Sequence, residues 1–126
     1  MKFKTLMTIK AIVCLGFGPL LLFFPAWLLN LLGTAYSSGA ALTSREYGAA
    51  LVGNLLLTWL ARKIDAGPAR QAICWNLCVY DAIGFAATLV FLLSGMLNPL
   101  GWGIAAVYLF FTLGFGYFLI PQKKAA

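Results

Sequence analysis

Asp81 is the residue with the clearest capacity for chemistry in this sequence, because it stands alone in a long uncharged stretch. No other charged residue occurs between positions 72 and 119. A carboxylate inside a membrane is costly and commonly marks a proton path, an ion site or a ligand site. Two interpretations stay open. Asp81 is either a protonated or hydrogen-bonded residue that fixes helix register, or a residue that binds a proton, a cation or a polar ligand headgroup.

Other polar residues stand at similar depths on neighbouring apolar segments. At 1.5 Å per helical residue, Asp81 lies about 16 Å from a boundary set by Arg70, and Asn54 lies about 12 Å from one set by Arg62. Polar groups between membrane helices usually hydrogen-bond across the interface. The candidates for a proton or ligand site are Asp81, Asn54, Tyr108, Thr112 and Asn76. We expect Asp81, Asn54, Tyr108 and Thr112 to cluster, and the sequence shows no evident path from a basic residue to Asp81.

A second polar group lies at the start of the second apolar segment. Thr43 followed by Glu46 is typical of a capping box, in which Thr43 caps the helix and the Glu46 carboxylate returns to its backbone. The alternative is a site at the outer face of the membrane formed by Arg45, Glu46 and Tyr47. Arg45 is expected to extend outward toward the headgroups.

The reactive residues that most enzymes need are scarce here. Histidine is absent, which excludes histidine-ligated haem, histidine zinc sites and histidine-based catalytic triads. Cys14, Cys74 and Cys78 form no C-x-x-C motif and fall in the cytoplasmic half of the predicted spans, where thiols stay reduced. We therefore predict no metal site, no cofactor and no catalytic residue. A membrane enzyme acting on a lipid or quinone stays as a minor alternative.

The composition is that of a membrane protein. Of the 126 residues, 63% are hydrophobic and 10% are charged, against about 25% charged in an average soluble domain. A soluble chain of this size would expose too much apolar surface. The net charge is +6, but the bases stand at the edges of apolar runs. That placement favours anionic lipid headgroups as partners and argues against nucleic-acid binding.

The apolar runs predict an all-α fold, an up-down bundle of four transmembrane helices in a single domain, residues 1–126. The predicted spans are residues 5–24, with a possible continuation to 32, and residues 44–62, 69–93 and 100–120. Each is near the ~20 residues that cross the hydrocarbon core. Pro19 and Pro25 are expected to kink or break the first helix. Residues 25–33 are then either a short helix at the outer interface or part of the first span.

The charges predict the orientation of these spans. Bases occur at the N-terminus, in the connection between the second and third spans, and at the C-terminus, at Lys2, Lys4, Lys10, Arg62, Lys63, Arg70, Lys123 and Lys124. The other two connections, residues 33–44 and 95–99, carry no charge. Because bases collect on the cytoplasmic side, both termini are predicted to be cytoplasmic.

The segment at residues 44–53, Ser-Arg-Glu-Tyr-Gly-Ala-Ala-Leu-Val-Gly, is followed by Trp-Leu-Ala-Arg at 59–62. Together they resemble the second helix of small bacterial four-helix membrane proteins of the DoxX-like group. The placement of Asp81 and of Asn98–Pro99 is also similar. The resemblance implies a multi-pass protein of the bacterial inner membrane and implies no catalytic residue.

Two functions from different classes follow from these observations. The lack of reactive groups and the small size predict a non-enzymatic accessory or structural subunit that associates with itself or with a larger membrane complex. The alternative is a small transporter or a binder of a lipophilic ligand, centred on Asp81.

Overall fold

The computed structural model describes residues 1–120, which form five helices and no strand. The helices are α1 (Phe3–Phe23), α2 (Pro25–Leu31), α3 (Ser38–Leu60), α4 (Pro68–Leu93) and α5 (Gly101–Leu119). The all-α prediction is confirmed for these residues. Lys123 and Lys124 lie outside the described residues.

Three of the helices in residues 1–120, namely α1, α4 and α5, are long and apolar enough to cross a membrane. Their outward faces are apolar as well: Ile83 on α4 is 64% exposed and Leu113 on α5 is 65% exposed. The chain is therefore a helical protein with several membrane-spanning segments. The 23-residue helix α3 is long enough, but Arg45, Glu46 and Asn54 make it less apolar than the other three. The fourth span thus stays a prediction.

The first apolar run breaks at Phe24. The residue before a proline disfavours helical geometry, and Phe24 has φ −131° and ψ 50° ahead of Pro25. Pro19 lies inside α1 without ending it. Of the two predicted possibilities for residues 25–33, the structure shows a separate short helix. The break leaves carbonyl groups at the end of α1 without helical donors, and the Arg45 Nε donates to the Leu22 carbonyl at 3.3 Å.

Helix α3 begins earlier than predicted, and the capping box at Thr43 is wrong. The cap is Ser37, whose side-chain oxygen accepts a hydrogen bond from the Ala40 backbone N–H at 3.1 Å. Thr43 lies one turn inside the helix and donates to the Gly39 carbonyl. Glu46 is exposed. Serine and threonine are both good caps, so the local sequence offered two possible starts.

The helices pack most closely in two pairs, α1 with α3 and α4 with α5. The first pair is tight because Gly48 faces the backbone of α1. A Cβ at position 48 would lie 2.8 Å from the Gly18 carbonyl oxygen. The two pairs meet where Leu6 of α1 packs against Gly114 of α5. The remaining space between the pairs is crossed by long side chains, and it contains the site described below.

Basic residues gather at one end of the molecule. Phe3 and Phe118 stack edge to face with ring centroids 5.4 Å apart, so α1 begins where α5 ends. The Arg70 guanidinium, near the start of α4, lies over both rings, at 4.2 Å from Phe3 and 5.1 Å from Phe118. Ile64, after the end of α3, packs against the same cluster.

The uncharged connections meet at the opposite end. Asn98 donates from its side-chain Nδ2 to the Leu31 carbonyl at 2.7 Å and from its backbone to the Leu32 carbonyl at 2.9 Å. Gly33 and Gly95, both at φ +76°, end α2 and α4 in the left-handed conformation that glycine adopts without strain. These turns bring the end of α2 against Asn98, in the connection between α4 and α5.

Candidate functional site

Lys10 lies on the buried face of α1. The buried positions of this helix recur at spacings of three or four residues and include Phe3, Leu6, Lys10, Cys14 and Leu21. Lys10 is 3% exposed. The prediction that it belongs with the boundary bases is therefore wrong, since its helical position directs it into the protein.

Lys10 and Asp81 form a buried ion pair. The Lys10 Nζ donates to Asp81 Oδ1 at 2.6 Å, and Asp81 is fully buried. The ammonium also lies 4.4 Å from the ring centroid of Phe111 and 5.1 Å from that of Tyr80. Aromatic faces attract a cation electrostatically. The expectation that no basic residue reaches Asp81 is thus wrong, because the long lysine side chain crosses from α1 to α4.

The second carboxylate oxygen of Asp81 has no hydrogen-bond partner within residues 1–120, although it is buried. An unpaired buried acceptor carries a desolvation cost. Oδ2 is therefore a buried atom of this site with unused capacity to accept a hydrogen bond.

A tyrosine cluster, Tyr47 with Tyr80 and Tyr108, lies beside the ion pair. The Tyr80 hydroxyl donates to the Tyr47 hydroxyl, and the Tyr47 and Tyr108 hydroxyls share a hydrogen bond. The three residues come from α3, α4 and α5. Gly84 makes room for Tyr108, because a Cβ at position 84 would overlap the Tyr108 ring. The cluster therefore joins the two helix pairs through side chains alone.

A cavity of about 370 Å³ opens next to the tyrosine cluster and Lys10. Its apolar walls come from all five helices and from the residue after α2, and include Val13, Phe17, Leu28, Leu51, Phe91 and Ile104. Its polar surface comes from Lys10, the tyrosine cluster, Thr43 and Ser44. Ligand sites commonly have this size and combine apolar walls with a few polar groups. The arrangement can hold an apolar molecule by one polar end.

Within residues 1–120, no hydrogen bond joins the Asp81 carboxylate to Asn54, Tyr108 or Thr112, the residues predicted to surround it. Tyr108 and Lys10, the partner of Asp81, nevertheless line the same cavity. Tyr108 belongs to the tyrosine cluster, whereas the Thr112 hydroxyl donates to the Tyr108 carbonyl of its own helix. Asn54 is half-buried, and its carbonyl accepts from the Thr58 hydroxyl. Asn76 is exposed on the outer surface of α4.

The three residues predicted for an outer-face site point in different directions. Tyr47 turns inward to the tyrosine cluster and the cavity. Arg45 donates to the Leu22 carbonyl, and Glu46 is exposed.

Of the cysteines, Cys14 and Cys74 are buried and Cys78 donates weakly to the Thr112 carbonyl at 3.5 Å. Residues 1–120 contain no group of three potential metal ligands among His, Cys, Asp and Glu.

Two residues of the site, Lys10 and Tyr80, were not among the sequence candidates. Lys10 stands three or four residues from Leu6, Met7 and Cys14, so helical periodicity places it on the buried face. Tyr80 directly precedes Asp81, and no sequence pattern distinguishes it from other aromatic residues of the spans.

Neither protein-family models, nor curated proteins, nor solved structures give a match to this chain. The resemblance to DoxX-like proteins therefore stays a prediction.

Proposed function

We propose that this protein binds a lipophilic small molecule inside the membrane, in the cavity between its two helix pairs. The observation that carries the proposal is the cavity itself, which places Lys10 and the tyrosine cluster among apolar walls. The proposed binding site is therefore the cavity with Lys10 and the tyrosine cluster, whereas the sequence predicts a site centred on Asp81. Asp81 acts through Lys10, since it pairs with the ammonium that lines the cavity.

The polar groups of the site support binding over a purely structural role. If the space between the helix pairs served only to hold the helices together, we would expect apolar side chains to fill it at the density of a protein interior. Here a lysine and several hydroxyls surround open space at the centre of apolar helices, where buried polar groups are costly. A ligand that met those groups would offset their cost.

The cellular setting of the proposal is a bacterial inner membrane, with the basic end of the molecule toward the cytoplasm. The basic residues at that end support this orientation through the positive-inside tendency. Binding is compatible with transport of the molecule or with its delivery to another protein.

Photolabelling tests the proposal. The probe is a long-chain ketone with a diazirine on its alkyl chain, added to the protein in lipid nanodiscs, and labelled peptides are identified by mass spectrometry. We expect label on cavity-lining residues, and we expect Ile104→Trp to reduce it to the level of lipid-facing residues by filling the cavity. Leu109→Trp, on the exposed face of the same helix, is the matched control. Equal labelling of the two variants would contradict a binding cavity.

A second candidate, association with itself or with a larger membrane complex, is favoured by Asn76. Its side chain has no hydrogen-bond partner within residues 1–120 and is exposed on an apolar helix, about 12 Å from the start of α4. An amide that faces hydrocarbon is satisfied best by a polar group of another helix. Asn76→Leu should therefore weaken association measured by cross-linking in native membranes. Unchanged cross-linking would remove this support for an accessory role.

A further inference from the structure

We infer that the cavity takes an uncharged lipid whose polar end is a hydrogen-bond-accepting oxygen, such as a carbonyl. The inference rests on the proposed function and names its ligand class. It follows from two features of the polar part of the cavity wall: the number of hydrogen-bond donors that this part offers and its balance of charge.

The tyrosine cluster has one more donor than it uses. Each tyrosine hydroxyl carries one hydrogen, so the cluster has one hydrogen for each of its three residues. One hydrogen serves the bond from Tyr80 to Tyr47, and one serves the bond between Tyr47 and Tyr108, whichever of the two donates. Within residues 1–120, a hydroxyl hydrogen of Tyr47 or Tyr108 is therefore left over. Both residues line the cavity, so this hydrogen is available to an acceptor atom there.

The charges at this end are already balanced. The Lys10 ammonium lines the cavity, but Asp81 Oδ1 lies 2.6 Å from it and offsets its charge. An anionic headgroup would place a second carboxylate near Asp81, and a cationic headgroup would lie beside Lys10. Burying an unpaired charge is far more costly than burying a hydrogen-bonded neutral group. A neutral acceptor satisfies the spare donor without adding charge.

The rest of the wall does not change this preference. The Thr43 hydroxyl already donates to the Gly39 carbonyl, and Ser44 adds one half-buried hydroxyl. Apart from Lys10 and the tyrosine cluster, the other lining residues are apolar, and they fit an alkyl, isoprenoid or aromatic body. The ligand class is therefore a neutral lipophile with an oxygen acceptor, distinct from a free fatty acid or an alkylammonium.

A set of four diazirine probes with the same chain length tests the inference. The probes are the ketone described above, the carboxylate, the ammonium and the plain alkane. We expect the ketone to label cavity peptides most strongly. If the ketone does not exceed the other three, the inference is wrong while binding in the cavity stands. If none of the four labels the cavity, the proposed function itself fails.

The triple variant Tyr47→Phe, Tyr80→Phe and Tyr108→Phe tests the source of the preference. It keeps the three rings and removes all hydroxyls of the tyrosine cluster, so no hydroxyl is left without a partner. Loss of one hydrogen bond should lower ketone labelling by about two- to tenfold, down to the level of the alkane. Alkane labelling should not change, which shows that the cavity is intact.

Tyr36→Phe is the matched control, since Tyr36 is exposed in the connection before α3 and does not line the cavity. It should leave the labelling by all four probes unchanged. A triple variant that still prefers the ketone over the alkane would overturn the assignment of the spare hydroxyl donor. A triple variant that loses the preference, with alkane labelling preserved, supports it.

Discussion

At the scale of single residues, the interior of residues 1–120 contains one ion pair, between Lys10 and Asp81. Two opposite charges buried together gain attraction but lose hydration, so the net stabilisation by such a pair is small. Removal of only one partner leaves an uncompensated buried charge, which is the costly event. The pair therefore makes each residue depend on the other, even where the pair as a whole contributes little to the free energy of unfolding.

A double-mutant cycle should show this dependence. We expect Lys10→Met and Asp81→Leu each to destabilise the protein by about 3–5 kcal/mol, and the double variant to lie close to the wild type. The measurement is thermal unfolding in a mild detergent, followed by intrinsic tryptophan fluorescence. Lys4→Met, at an exposed position of the same helix, is the control and should have little effect. Destabilisations that simply add in the double variant would mean that the two side chains do not interact.

Sequence reasoning identified one half of this pair and not the other. Asp81 is conspicuous because it is the lone charge of a long segment. Lys10 stands only six positions after Lys4, so its charge suggested the membrane boundary, although its helical phase matches buried Leu6 and Cys14. The pairing also depends on which face of α1 meets α4. That relation is a property of the assembled helices and is not encoded in any local pattern.

At the scale of helices, the sequence predicts a helix boundary correctly where one local signal is strong. It fails where two neighbouring segments carry signals of similar strength. Pro25 fixes the break after α1 because a proline constrains the residue before it. The predicted start of α3 at residue 44 is wrong, because two segments, near Ser37 and near Thr43, offer similar caps. The structure selects Ser37, which extends α3 by about one and a half turns beyond the predicted start.

The close contact of α1 with α3 gives a prediction at this scale. A Cβ at Gly48 would lie 2.7 Å from the Leu22 nitrogen and 2.8 Å from the Gly18 carbonyl oxygen. Both are backbone atoms, so no side-chain movement can relieve the clash. Gly48→Ala should therefore push the helices apart and destabilise the protein by about 1–3 kcal/mol.

Gly53→Ala is the matched control, because it lies on the same helix with no atom within 4 Å of the new Cβ. It should be neutral or stabilise the protein by up to about 1 kcal/mol, since alanine favours a helix more than glycine does. Both variants can be compared by thermal unfolding in the same detergent. Equal stability of the two variants would argue against tight packing of α1 on α3.

At the scale of the whole molecule, the fold is two tight helix pairs whose interior gap is crossed by side chains. Glycine allows α1 to approach α3 closely, whereas Lys10, Asp81 and the tyrosine cluster span the wider gap between the pairs. Composition predicted the membrane and the helices, because hydrophobicity alone decides both. It could not predict the pairing of helices or the cavity, because these depend on the shapes of facing surfaces.

The orientation in the membrane, and the crossing of α3, can be tested together by cysteine labelling. The background variant carries alanine at Cys14, Cys74 and Cys78. A single cysteine is then placed at Ser37, Ser94 or Lys63, and each variant is labelled in intact bacterial cells. Because Arg62, Lys63 and Arg70 lie at the basic end, a membrane-impermeant maleimide should label the Lys63→Cys variant only after the cells are permeabilised.

The Ser37→Cys and Ser94→Cys variants should react before permeabilisation, because both positions belong to the opposite, uncharged end. Labelling of Ser37→Cys and Lys63→Cys from the same side would mean that α3 does not cross the membrane. Arg45 and Glu46, near the start of α3, would then lie outside the hydrocarbon at no cost, and three spans would separate the two termini. Labelling of Lys63→Cys alone from outside the cell would instead invert the molecule and place its basic end against the outer leaflet.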